Sequence, residues 1–169
     1  MLVAAHNVIS NGIAWQINTG YYSRKTRTVV AEENNPNGLA FSSDGTKAYV
    51  IGTSNDTIYQ YTLSTAWDIS TGSYASKSLS VNAQEAIPHS LAFSSDGTKA
   101  YIVGPLTDRI LQYTLSTAWD ISTGSYASKS LSVVAEESSP NGLAFSSDGT
   151  KAYIVGNNSY TIYQYTLAD

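Results

Sequence analysis

Short runs in which apolar and polar residues alternate recur between turn-forming residues along the whole chain. No stretch carries the 3.6-residue apolar spacing, with caps, that marks an amphipathic helix. In the middle of the sequence this pattern predicts four strands, A to D. His89–Ser94 is a short strand A, and the Ser-Asp-Gly-Thr segment at 95–98 is a tight turn in which Gly97 is free to take positive φ. Lys99–Val103 is strand B, followed by a loop from Gly104 to Asp108. Strand C, Arg109–Leu115, sets Ile110, Gln112 and Thr114 against Leu111, Tyr113 and Leu115 on its two faces. A longer connection carrying Ala118, Trp119 and Asp120 then leads to strand D, Tyr126–Val133, a serine-rich outer strand.

The same pattern returns at a fixed interval. Pro36, Pro88 and Pro140 each open Pro-x-x-Leu-Ala-Phe-Ser-Ser-Asp-Gly-Thr-Lys-Ala-Tyr at a spacing of 52 residues, which also aligns Trp15, Trp67 and Trp119 and the acids Asp44, Asp96 and Asp148. Three units follow, 14–65, 66–117 and 118–169, after a leader of residues 1–13. Four strands per unit, repeated, predict an all-β chain of three four-stranded β-propeller blades. The phrase Gly-Leu-Ala-Phe-Ser-Ser-Asp-Gly-Thr-Lys-Ala-Tyr, followed by Thr-Ile-Tyr-Gln-Tyr-Thr-Leu, resembles the repeats of the YVTN and TolB-like propeller families over all but the leader. That resemblance implies the fold; the activity is left open, because propellers host many. The Trp-Asp pairs at 67–68 and 119–120 lack the Gly-His partner of WD40 repeats, and the period exceeds the roughly 40–45 residues of that family.

Propellers close with typically about 4–8 blades, each burying both faces against neighbours. Three blades leave two apolar flanks, and such flanks call for a partner. The expected partner is a second copy joined head to tail, giving a six-bladed homodimeric ring; three chains would give nine blades. The first unit starts in a strand D (Trp15–Val30) and the last ends in a strand C (Thr161–Leu167), so residues 15–30 are expected to complete the third blade of the partner. Arg24, Lys25 and Arg27 set this first D strand apart from its copies and mark either the intermolecular seam or a solvated edge.

Composition narrows the function classes. The 169 residues suffice for one domain with a core, and 13% charged residues lie well below the roughly 25% of average soluble domains. Nine Lys+Arg against 13 Asp+Glu give a net charge of -4, which argues against nonspecific nucleic-acid binding. With no cysteine, disulfide, thiolate and cysteine–zinc chemistry drop out together. The first residues lack a basic segment ahead of an apolar core, and no apolar run approaches the roughly 18 residues of a membrane span, so no membrane partner is expected. The compartment stays open.

Comparison of the second and third units stands in for an alignment. They differ at 14 of 52 positions, six between strands D and A and five in the B–C loop. Because strands alternate direction, both connections emerge on one face of the disc. Loops commonly carry binding, and equally they drift where packing tolerates it. The candidate ligand residues are therefore Asn34, Asn35, Asn37, Ile87, His89, Ser139 and Asn141 from the D–A connections. The B–C loops add Asn55, Asp56, Asp108, Arg109, Asn157, Asn158 and Tyr160. Amides, hydroxyls and an aromatic ring suit the hydroxyls of a glycan, and a protein ligand is also compatible.

Catalytic constellations are thin. His6 and His89 lack further ligands at metal spacing, and the turn acids Asp44, Asp96 and Asp148 are chosen for backbone geometry. Serines lack a partner histidine, and three arginines are too few for hydrolase chemistry in a channel. The three tryptophans suit packing between strands C and D better than sugar stacking. The expectation is a non-enzymatic, cofactor-free, self-assembling propeller with a binding or scaffolding role; the alternative is a purely structural or engineered repeat with no ligand.

Overall fold

A computed structural model describes residues 20–167; the leader 1–13 with His6, and the start of the first expected strand D with Trp15, lie outside the described residues. Three antiparallel sheets follow one another along the chain. The first holds β1 (Pro36–Phe41), β2 (Lys47–Gly52), β3 (Thr57–Leu63) and β4 (Gly72–Ser80), and the second β5 (Ser90–Phe93), β6 (Lys99–Val103), β7 (Arg109–Leu115) and β8 (Gly124–Ser132). Among the described residues the third has β9 (Pro140–Phe145), β10 (Lys151–Gly156) and β11 (Tyr163–Thr166), so its outer edge there is strand C. These are the expected blades, in meander order. Strand D starts earlier than its alternation suggests, because a single 3-10 turn (Ile69–Thr71, Ile121–Thr123) feeds straight into it. Asp68 and Asp120 cap those turns by accepting from the Ser70 and Ser122 amides.

The A–B hairpins are built by local chemistry. Gly45, Gly97 and Gly149 sit at φ 69°, 70° and 72°, a region that costs a side chain strain. Beside each, an aspartate gathers nearby donors: Asp96 accepts from Ser94 Oγ at 2.6 Å and from the Thr98 amide at 3.0 Å. The serine hydroxyl, the threonine amide and the threonine hydroxyl hold the carboxyls of Asp44, Asp96 and Asp148 down at about 2. Their folded value lies below the unfolded one, so their stabilisation is complete above the ordinary carboxylate range and fades as pH falls through 3.8 towards about 2. Thermal unfolding followed by circular dichroism should show a falling midpoint across that window. Changing all three acids to Asn should flatten the fall.

Packing runs from blade to blade. Tyr49, Ile51 and Ile58 of the first blade pack with Leu91, Ile102, Tyr113, Leu115 and Ile121 of the second. Val103 and Ile110 of the second, with Val133 just beyond it, pack with Ala152 and Ile154 of the third. Burial of these apolar faces is what makes neighbouring blades stable together. Polar contacts fix the seam between the first and second blades: Tyr49 Oη donates to the Trp119 carbonyl at 2.7 Å, the Ile121 amide to Gln60 Oε1 at 2.9 Å, and Lys77 pairs with Asp120 at 2.5 Å.

Residues 20–29 form no strand of a sheet within the chain, yet they hold the first blade as β4 holds the second. Lys25 pairs with Asp68 at 2.7 Å, as Lys77 does with Asp120. Arg24 takes φ 60°, matching the bulge residues Ser76 (56°) and Ser128 (55°) of β4 and β8. The Arg27 stem lies over Gly72 as Leu79 lies over Gly124, and its guanidinium sits 5.7 Å from the centre of the Tyr61 ring. This segment has the shape of a strand D with no sheet of its own.

Candidate functional site

The face that carries the D–A and B–C loops is organised by a repeated glutamate. Glu33, Glu85 and Glu137 are buried, each lying against a glycine at the end of strand B or just beyond it: Gly52, Gly104 or Gly156. A Cβ on Gly104 would meet the Glu85 Cδ at 2.8 Å and collide with the Ile87 carbonyl, so only glycine admits the carboxylate. Glu85 Oε1 accepts from the amides of Ile87 (3.0 Å) and Leu106 (3.3 Å). Its Oε2 accepts from the amide (3.0 Å) and hydroxyl (2.7 Å) of Thr107. Glu137 repeats the pattern with Ser139, Asn158 and Ser159. Burial pushes the Glu137 carboxyl up, but the bonds from Ser159, Ser139 and Asn158 outweigh it and hold the group below its usual range. Each glutamate therefore clips the D–A connection to the B–C loop of the same blade.

The first blade departs from this. Glu33 Oε1 accepts from the Asn35 and Ser54 amides, whereas Oε2 has no hydrogen-bond partner among the described residues. The cause is Asn55, which stands where the other blades place Thr107 and Ser159 and donates instead to the Glu32 carbonyl at 3.0 Å. These glutamates were absent from the expected site. A signal for them exists: within the most divergent connection of the repeat, an acid is kept in all three copies.

The candidate ligand residues do share this face, and many of their polar groups are bonded within the protein, whereas Asp56 Oδ1 and Asp108 Oδ1 are buried with no hydrogen-bond partner among the described residues. Asn34 Oδ1 accepts from Ser54 Oγ, Asn35 Nδ2 donates to Thr53 Oγ1 at 2.6 Å, and Asn158 Nδ2 donates to Ser138 Oγ at 2.9 Å. Arg109 Nε donates to Ser130 Oγ at 3.0 Å, and Asp56 Oδ2 accepts from Asn82 Nδ2 at 2.6 Å. The amides of Ile87 and Ser139 are held by Glu85 and Glu137, and that of Asn157 by the Ser139 carbonyl. His89 Nδ1 meets Asn141 Oδ1 across the two neighbouring blades. Asp56, Asp108 and Tyr160 occupy one repeat position at φ 48°, 52° and 53°. Burial, then the charges of Glu85 and Glu137, push the Asp108 carboxyl up. Among the described residues no group of three His, Cys, Asp or Glu side chains is placed to hold a metal ion.

Two cavities stand apart from most of these fourteen residues. One, of about 390 Å³, lies on the open side of the first blade, lined by Arg27, Val29, Leu39, Phe41, Val50 and Tyr61, and takes in Asn37 alone of the candidates. The other, of about 570 Å³, lies between the second and third blades and is lined by Gln112, Lys129, Phe145, Gly149 and Leu167 among others. The tryptophan expectation is corrected. Trp67 and Trp119 lie over the turn glycines Gly45 and Gly97 and beside Phe41 (5.6 Å) and Phe93 (5.4 Å), on the A–B hairpin rather than between strands C and D.

Equivalent positions reveal the flanks. Leu39 is 62% exposed where its counterpart Leu91, covered by the first blade, is 6% exposed. At the other end Ile162 is 72% exposed, while Ile58 is fully buried. Trp67, Val155 and Tyr160 add to the exposed apolar surface. No helix among the described residues is long and apolar enough to cross a membrane.

No protein-family model matches the chain, and no curated protein does. Solved structures match it by shape. A candidate 6-phosphogluconolactonase from Bacteroides uniformis superposes with a TM-score of 0.60 at 16% identity, over 85% of this chain and 41% of that one. Hydrazine synthase from Kuenenia stuttgartiensis gives 0.57 at 17%, over 87% and 36%. The β-propeller domain of Cps50 (Swd1) from Myceliophteria thermophila gives 0.54 at 16%, over 78% and 39%. The chain thus spans about two fifths of the length of these structures, and likeness at such identity shows the fold alone: three consecutive blades of a β-propeller.

Proposed function

We propose that this polypeptide is a self-assembling half-propeller with a scaffolding role, in which two copies join head to tail in a six-bladed ring. The observation that carries the reading is the contrast between equivalent residues: positions buried at the internal seams are exposed at the two flanks. The flanks are complementary because they are the two sides of one repeated contact. Tyr153 and Gln164 of one copy stand where Tyr49 and Gln60 grip the second blade, and Trp67 and Ile69 of the other stand where Trp119 and Ile121 receive them. Six blades fall inside the range in which such rings close, so a head-to-tail contact ends in a ring rather than a fibre.

A ligand on the D–A/B–C face is the second reading, favoured by the concentration of sequence differences there. The internal bonding of its amides supports scaffolding over recognition of a glycan. Light scattering on the 169-residue polypeptide at micromolar concentration should give twice 18.1 kDa. A folded species of one chain, or of three, would overturn the six-bladed ring.

A further inference from the structure

We infer that the third blade is completed by residues 15–28 of a second copy, with Trp15 seated in the cavity over Gly149. This deepens the ring reading and rests on it.

The cavity is a copy of a place already filled once in the chain. Between the first and second blades, Gln60 accepts from the Ile121 amide and Lys77 pairs with Asp120, while Trp119 lies on Gly97 and Phe93. The equivalents of those receiving groups, 52 residues on, are Gln112, Lys129, Gly149 and Phe145, and all four line the cavity. Among the described residues, a Cβ on Gly149 would find nothing within 4 Å, whereas on Gly45 or Gly97 it would strike an indole ring. The groups are the same; what differs is the occupant.

The repeat identifies that occupant. Trp15 stands 52 positions before Trp67, and Ile17 likewise before Ile69. Residues 20–29 already have the bulge and side-chain contacts of a strand D, and among the described residues β11 has a neighbour on one side only. The registers of β3 with β4 and of β7 with β8 then dictate the pairing across the seam. Gln60↔Lys77 and Gln112↔Lys129 become Gln164↔Lys25, and Thr57↔Ser80 and Arg109↔Ser132 become Thr161↔Thr28. Two substitutions fit a seam: Tyr160 and Val30, both exposed, stand where Asp56 and Asn82 are hydrogen-bonded in the first blade. One weakens it, because Gln16 stands where Asp120 meets Lys77, so Lys129 would meet a neutral group.

The chain has no cysteine, so a designed pair reports cleanly. Thr28→Cys with Thr161→Cys, oxidised under native conditions, should link separate chains, since directly opposed strand residues lie within disulfide reach. Thr28→Cys with Tyr163→Cys, two residues out of register, should link far less. Trp15→Ala should weaken association by about a hundredfold or more, as loss of a buried tryptophan does. Gln16→Asp should strengthen it by up to about five-fold, with the gain removed by salt. A disulfide within one chain, equal linking by the out-of-register pair, or a two-chain mass indifferent to Trp15→Ala overturns the inference while leaving the ring intact. A three-chain mass with in-register linking overturns the six-bladed ring and keeps the inference. A one-chain mass for the unmodified polypeptide overturns both.

Discussion

Glu85→Ala should lower the unfolding free energy by about 2–4 kcal/mol, read as a shift of the urea midpoint at fixed protein concentration with the slope unchanged. The carboxylate accepts four hydrogen bonds, three of them from backbone amides of two loops that have no other strong tie to each other. A single hydrogen bond to an ionised group contributes about 1.5–3 kcal/mol net, bonds sharing one carboxylate do not add, and water entering the loosened loops recovers part of the loss. Glu33→Ala should cost visibly less, because that carboxylate accepts two bonds and leaves one oxygen unpartnered among the described residues. Asn55→Thr, which restores the hydroxyl found at Thr107, should stabilise the first blade. Equal losses at Glu33 and Glu85 would show that the hydrogen-bond count does not govern the clip.

The second large effect belongs to the A–B turn. Gly97→Ala should cost about 3 kcal/mol. Positive φ accounts for roughly 1–2 kcal/mol of strain, and the rest comes from driving Trp119 off the glycine and away from Phe93. Gly149 has a similar φ and, among the described residues, an open space above it, so Gly149→Ala should cost the strain alone in a single chain. In an assembled ring it should also weaken association, because the added methyl occupies the seat proposed for Trp15. Urea unfolding separates the two glycines, and light scattering on the Gly149 variant reads the second effect. Identical losses with unchanged association would remove Trp packing as the reason for the difference.

How much of this was written in the sequence follows the range over which each feature acts. Strand identity depends on neighbours two residues apart, and the 52-residue repeat supplied the blades and their order. The aspartates of the turns were legible for the same reason, since their partners lie two residues away. The glutamate clip was not. Glu85 finds Thr107 across 22 residues, and in a loop a carboxylate about to be buried looks like one that stays in water. Asn34, Asn35 and Asn158 looked available for a glycan because their partners, about 20 residues off, could not be assigned before the loops were placed. The place of Trp119 was not legible either, because its backbone turns at φ 61°, a bend the residue pattern does not show, which sends the ring back over the hairpin.

Residues 20–29 keep the bend of Arg24, the Lys25–Asp68 pair and the Arg27–Tyr61 stacking before any sheet has formed around them. A floppy arm would have to be frozen on docking, at about 0.5–1.5 kcal/mol for each side chain immobilised. Lys25 and Arg27 are tied to the first blade of their own chain, so in the proposed ring those two side chains would add little to that cost. In the proposed ring, copies would then meet with part of the docking edge already cut, rather than with a loose thread to be wound.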